Sequence, residues 1–164
     1  MIVVLMGVAG SGKTTIGRLL AEELGWDFFD ADDLHPQANI ERMRRGVALT
    51  DDDRATWLNG VRALVARLTH ERKSAVLAFS GLRRSHRKRL TAGDDAARFV
   101  YLKGDPVLLQ QRLAQRRDHY FGVDLLPSQL ATLEEPDKQE NVPVVSVSGK
   151  PSAVVTQIRK VLGI

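Results

Sequence analysis

Eight consecutive residues near the start of the chain, Gly7-Val8-Ala9-Gly10-Ser11-Gly12-Lys13-Thr14, fit the pattern G-x-x-x-x-G-K-[S/T]. The chemistry served by this spacing is the binding of a polyphosphate. Glycines let the backbone wrap around phosphate oxygens with its N–H groups turned inward. Lys13 supplies charge for the β- and γ-phosphates, the Thr14 hydroxyl is a ligand for Mg²⁺, and Thr15 extends the same cradle. A glycine-rich turn that matched by accident would lack the right flanks. Here an apolar run, residues 2–6, comes before, and a helical segment from about Lys13 follows with its positive dipole end toward the loop.

Such a phosphate-binding loop (P-loop) does not separate phosphoryl transfer from nucleotide hydrolysis, so the source of the metal's carboxylate matters. Many P-loop proteins carry an aspartate at the end of an apolar strand, but Val76-Leu77-Ala78-Phe79-Ser80-Gly81 ends without one. The acids instead follow the run at 26–30, as Asp30-Ala31-Asp32-Asp33. In an extended segment Asp30 and Asp32 point the same way. One would sit near Mg²⁺ while the other accepts the proton of an attacking hydroxyl. The competing reading makes these acids caps of a helix ahead of Pro36, Asp33 first among them.

Other candidates cluster around this pair. His35, Asn39 and Arg42 come just after it, placed to line an acceptor pocket, with His35 as a structural group rather than a base. Arg54 either pairs with Asp51-Asp52-Asp53 or offers its planar fork to a substrate carboxylate. Arg112, Arg116 and Arg117 precede Asp118-His119-Tyr120-Phe121-Gly122. Arginines at a helix end before such a segment form a candidate lid, approximately residues 117–127, that closes over the phosphates; the alternative is an exposed basic face. The run Arg83-Arg84-Ser85-His86-Arg87-Lys88-Arg89 has the charge to bind nucleic acid but no interleaved aromatic residue to stack a base, so nucleic acid is not the expected partner.

These groups must be held by a frame, and its elements are legible. Apolar runs at 2–6, 26–30, 75–79, 99–102 and 142–147 read as strands covered on both faces. Thr50 with Asp53 forms a capping box ahead of Trp57, Leu58, Val61, Leu64, Val65 and Leu68. Asp105-Pro106 opens a helix over 107–116, and Pro151-Ser152 opens a closing helix with Val154, Val155, Ile158, Val161 and Leu162. Strand–helix alternation predicts one doubly wound α/β domain over 1–164, with ligands at the carboxyl ends of its strands. At 43% hydrophobic and 27% charged residues, the composition is that of an ordinary globular protein. The absence of cysteine excludes disulfides and thiolate metal sites. A net charge of +4 suits anionic ligands. The first apolar run is too short to span a bilayer and no basic stretch precedes it, so no membrane partner and a cytoplasmic location are expected.

Taken together the motifs resemble the gluconokinases of the small P-loop type, relatives of shikimate and nucleoside monophosphate kinases. The similarity runs along nearly the whole chain. It includes Met6-Gly7-Val8 with the P-loop, Asp30-Ala31-Asp32-Asp33-Leu34-His35-Pro36, Asn39, Met43 and Gly46. It continues through Leu49, Asp51, Asp53-Arg54, Trp57-Leu58, Tyr101-Leu102-Lys103-Gly104, His119, Leu125-Leu126, Ser128-Gln129, Leu133-Glu134 and Pro136. The resemblance implies a P-loop kinase fold with a five-stranded parallel sheet, helices on both faces and a mobile lid. It further implies Mg-ATP as donor and gluconate phosphorylated at its terminal hydroxyl to 6-phosphogluconate. Asp30 would then serve the metal region and Asp32 the acceptor, with Asp30 as the alternative base. Arg112 would lie by the adenine, with Gly149-Lys150-Pro151 near the base. Ser80, Gly81, Arg83 and His119 would fall on the acceptor side, and many members are homodimers. The family's Cys-Ser-Ala-Leu-Lys is here Phe79-Ser80-Gly81-Leu82-Arg83, its Tyr-Arg-Asp is His86-Arg87-Lys88, its Gly-His-Phe is Asp118-His119-Tyr120, and a proline is Thr56. These departures keep alternatives in view: another sugar acid or a shikimate-like acid as acceptor, a nucleotide-binding regulatory module, or a nucleic-acid end kinase.

Overall fold

Strand β1 (Ile2–Met6) is buried along its whole length. Its alternation sends Ile2, Val4 and Met6 into one core and Val3 and Leu5 into another, so both faces of the sheet must be covered. The structure, a computed structural model, describes residues 1–47, 49–91, 97–115 and 125–164. With β2 (Asp27–Asp30), β3 (Ala75–Ala78), β4 (Ala97–Lys103) and β5 (Val144–Ser146), β1 forms a five-stranded sheet in the order β2-β3-β1-β4-β5. Every pairing is parallel.

The helices are α1 (Lys13–Leu24), α2 (Gln37–Arg44), α3 (Asp51–His70), α4 (Arg84–Thr91), α5 (Pro106–Ala114), α6 (Leu125–Thr132) and α7 (Pro151–Leu162). One core gathers Ile16 and Leu20 of α1, Leu109 and Leu113 of α5, and Val154, Val155 and Ile158 of α7. The other gathers Trp57, Leu58, Val61, Leu64, Val65 and Leu68 of α3 with Phe79 and Leu90. The expected capping box is present, with the Thr50 hydroxyl accepting from Asp53 N and the Asp53 carboxylate from Thr50 N. Asp105 caps α5 with Pro106 in its first turn.

Boundaries differ by a few residues. Strand β4 begins at Ala97; in the sequence the apolar run starts at 99 because exposed Arg98 interrupts it. Helix α5 ends at Ala114 rather than 116. Central β1, flanked by β3 and β4, delivers the P-loop to the crevice at the carboxyl edge of the sheet.

Candidate nucleotide and acceptor site

The P-loop is shaped by glycines where no other residue fits. Gly10 has φ 81°, and a side chain there would meet the Leu109 carbonyl oxygen at 2.9 Å. Gly12, with φ 84°, turns the chain into α1. Lys13 Nζ donates to the carbonyls of Gly7 (2.9 Å) and Val8 (3.1 Å), and Gly7 N donates to Ser80 O (3.1 Å). The Ser11 hydroxyl is fully buried and finds no partner among the described residues. A buried polar atom without a partner is an exception that asks for a ligand, and a phosphate oxygen fits it.

The acid pair sits beside this loop. Thr14 Oγ1 donates to Asp30 Oδ2 at 2.8 Å, and Asp30 Oδ1 accepts from Asp32 N at 3.1 Å. The chain is not extended through Asp32, as sequence alternation implied. It folds into a 3-10 turn (Ala31–Leu34) that Asp30 caps. Capping and chemistry are therefore combined in one residue, and the turn still brings the two carboxylates close. Asp32 reaches solvent yet stands close to Asp30, Lys13 and Asp33. Burial, and then the neighbouring Asp30, raise its pKa above the ordinary aspartate value; Lys13 opposes this, and Asp33 adds a smaller upward push. Thr14 and Asp30 together offer hard oxygen donors that suit Mg²⁺, which takes few protein ligands and keeps water and phosphate oxygens.

On the acceptor side, the His35 ring stacks on Trp57 with centroids 4.6 Å apart, and the Trp57 indole N–H donates to Ala31 O at 2.6 Å. Buried Asn39 donates through Nδ2 to Asp53 O (3.1 Å), which fixes its amide orientation. The same nitrogen approaches His35 Nδ1 at 3.3 Å, so that ring nitrogen accepts. Burial holds the His35 pKa below its usual value, consistent with a neutral structural ring. Arg42 is bonded to the Asp53 carboxylate at 3.1 Å. Asn39 and Arg42 thus join α2 to α3. Arg54 lies 3.6 Å from a largely exposed Asp51 and lines a cavity between α3 and α4.

Sequence reasoning missed two residues here. Arg87, one of the basic run, is not on a solvated face: its side chain is 3% exposed. It donates to Gly81 O (2.8 Å) and Glu134 O (2.9 Å) and grips both carboxylate oxygens of Glu140 at 2.7 Å. Arg84 pairs with Asp137 at 2.7 Å, so the run is divided between inward and outward duties. The other is Gln129 on α6, whose Oε1 accepts from Ala9 N of the P-loop at 2.6 Å. Only its place within the family resemblance marked it beforehand.

A second cavity, about 350 Å³, is lined by Gly10, Gly12, Thr15, Arg112, Gly149 and Pro151 among others. Arg112 is anchored there by donating to Val147 O at 2.6 Å. Lys150 is the N-cap of α7 at its rim. Arg116, Arg117, Asp118, His119 and Tyr120 lie outside the described residues, as does the expected lid up to 124; residues 125–127 form the start of α6.

Comparison with known proteins agrees with this arrangement. The family model for shikimate kinase matches residues 9–162. A gluconokinase from Gluconobacter oxydans is 43% identical over 157 residues, covering 94% of this chain and 87% of that protein. The crystal structure of a gluconokinase from Sinorhizobium meliloti superposes with TM-score 0.80 at 36% identity, covering 98% and 94% of the two chains. An unliganded sugar kinase from a Janibacter species reaches TM-score 0.91 at 36% identity, covering 99% and 94%. With a P-loop on a five-stranded parallel sheet and relatives this similar along nearly its whole length, this chain belongs to the gluconokinase family of P-loop kinases.

Proposed function

We propose that the protein transfers the γ-phosphoryl group of ATP to the terminal hydroxyl of gluconate, giving 6-phosphogluconate. The observation that carries this reading is the Thr14–Asp30–Asp32 constellation at the mouth of the P-loop, in a chain of this family. Phosphoryl transfer needs little covalent help from a protein; positioning and charge stabilisation do most of the work. The amides of Gly7 to Thr15, the Ser11 hydroxyl and Lys13 hold the phosphates. Thr14 and Asp30 would hold Mg²⁺, which when bound offsets charge between the phosphates. Asp32 orients the acceptor hydroxyl and takes its proton, and the crowding that raises its pKa strengthens its grip on that proton. Arg112, Gly149, Lys150 and Pro151 surround the base, and Arg116 and Arg117 cover the transferring group. His35, Arg54, Ser80, Gly81, Arg83 and His119 face the acceptor, while Asn39 and Arg42 act through the joint between α2 and α3.

The same reading takes residues 1–164 as one domain, with a homodimer as the assembly to test by light scattering. It also takes the enzyme as cytoplasmic, a compartment that supplies ATP. No helix among the described residues is long and apolar enough to cross a membrane. The deciding experiment is ADP release across a panel of aldonic acids, other sugar acids and shikimate, in which gluconate should give the highest kcat/KM. A rival acid preferred by more than about tenfold, roughly 1.4 kcal/mol of transition-state binding, would move the assignment to that acid. Arg83 and His86 are the observation that keeps such a rival alive, because both differ from the family pattern and line the α3–α4 cavity. Acceptor-independent ADP release would remove the kinase reading altogether.

A further inference from the structure

Four hydrogen bonds close a ring at the carboxyl edge of the sheet. Gly7 N donates to Ser80 O at 3.1 Å, and two residues further on Leu82 O accepts from Glu134 N at 2.8 Å. Leu133 N, the neighbour of Glu134, donates to Gln129 O at 2.9 Å. Gln129 Oε1 then accepts from Ala9 N at 2.6 Å, two residues from where the ring began. The Glu134 carboxylate adds a brace by accepting from Arg84 N at 2.6 Å. Beneath the ring Val8, Leu82 and Leu126 are buried in one core, so its three segments share a floor.

Three of the four bonds join backbone to backbone. The fourth belongs to a side chain 120 residues away from its partner, and it is the link that a substitution can remove. The ring spans both sides of the reaction: residues 7–9 open the phosphate loop, and 80–82 lead into the acceptor wall. Without Gln129, Gly7 is the loop's one remaining tie within the ring, and the residues after it can tilt about that bond. Transfer requires the acceptor oxygen in line with the γ-phosphorus, and a misplacement of about 1 Å costs up to a hundredfold in rate. We propose that Gln129 is a positioning residue for phosphoryl transfer: its amide oxygen fixes the tilt of the phosphate loop against the acceptor wall. The role in transfer rests on the kinase reading; the tie itself does not.

The chemistry of an amide suits this place. Its oxygen accepts from Ala9 N without bringing charge to a loop that takes polyphosphate. A carboxylate would accept more strongly and would repel the phosphates. The half-buried side chain is presented by α6, whose Leu126 is 3% exposed, so the acceptor is offered from a seated helix rather than from a loose chain.

The test separates the bond from the bulk of the side chain. Gln129→Met keeps the length and removes the acceptor; Gln129→Glu keeps an acceptor and adds charge. Exchange of the Ala9 amide proton, read by NMR without nucleotide, should be slow in the wild type and in Gln129→Glu and about tenfold faster in Gln129→Met. Single-turnover transfer to gluconate should slow about tenfold in Gln129→Met, with KM for ATP and for gluconate within about twofold of wild type. Gln129→Glu should keep the transfer rate within about twofold and raise KM for ATP about fivefold. Three results overturn the proposal: equal Ala9 exchange in wild type and Gln129→Met, an undiminished rate in Gln129→Met, or an equal loss of rate in both variants. The last assigns the effect to the packing of α6, and each leaves the kinase reading standing. Loss of Ala9 protection in Gln129→Met, in a protein that phosphorylates no sugar acid, supports the tie and removes the kinase reading.

Discussion

The two ends of the cleft are built on different principles. On the donor side, backbone does the holding: glycine-shaped turns, inward amides and one lysine, all within eight residues of chain. On the acceptor side, side chains from α2, α3, α4 and the 134–140 segment do it, through long-range contacts such as Asn39–Asp53, Trp57–Ala31 and Arg87–Glu140. Backbone recognition tolerates change around it and serves any nucleoside triphosphate. Side-chain recognition is set residue by residue, and it is there that Phe79, His86 and Lys88 depart from the family pattern.

The sharpest way to break this contrast is Lys13→Met. Transfer should fall about a thousandfold, near 4 kcal/mol of transition-state stabilisation, in a protein that still folds and melts cooperatively. Near-normal ADP release would remove Lys13 from the donor machinery. On the opposite side the largest effect should be on stability. Arg87→Met strands Glu140 in a mostly closed site and should cost about 3 kcal/mol in denaturant unfolding, while Arg84→Ala costs far less. Equal costs would mean that the basic run is a uniform surface after all.

That clamp also has a pH signature. Hydrogen bonds from Arg87 hold the Glu140 pKa below the ordinary glutamate value. A depressed carboxylate contributes stability that is full above its unfolded pKa and is lost as pH falls through its folded one. Acid titration of Glu140→Gln should therefore lack this component of the wild-type loss, and an unchanged acid profile would assign the loss to other groups.

Asp32→Asn should slow the chemical step about a hundredfold at saturating substrates. Asp30→Asn should in addition raise the Mg²⁺ concentration for half-maximal rate about tenfold. If both variants keep wild-type rates at every Mg²⁺ level, the acids are only caps. The smallest expected effect belongs to Arg112→Ala, about fivefold in KM for ATP with kcat little changed, since one anchored side chain of the base cavity is lost. A larger effect on the acceptor KM would mean that the two sides are not separate.

What the sequence made legible is what the chain decides locally. The P-loop, the Thr50–Asp53 box, the Asp105-Pro106 start and the buried strands are each set by neighbours within a few residues. The acid pair was half legible: Asp30 and Asp32 do come together, but they meet through a 3-10 turn and a cap rather than through strand alternation. Arg87 was illegible because its reason for being buried, Glu140, lies 53 residues further on. His86 and Arg89 became cavity walls only once α3 and α4 were packed together, a tertiary fact with no local signature.

The Arg87–Glu140 clamp also bears on the order in which the molecule is made. The wall formed by Gly81 and Leu82 is held from behind by Arg87 and by Glu134, whose N–H donates to Leu82 O at 2.8 Å. Both Glu134 and Glu140 leave the ribosome about fifty residues after the wall itself. Much of the donor loop, closed by its own lysine, can form once β1, α1 and β3 exist, although its Ala9 N–H meets Gln129 only later. The acceptor wall must wait, because contacts this far apart in sequence are bought with loop-closure entropy and form late. A growing chain thus shapes its phosphate loop before it has either the base cavity, whose Gly149 and Pro151 come later still, or a wall to hold the acceptor.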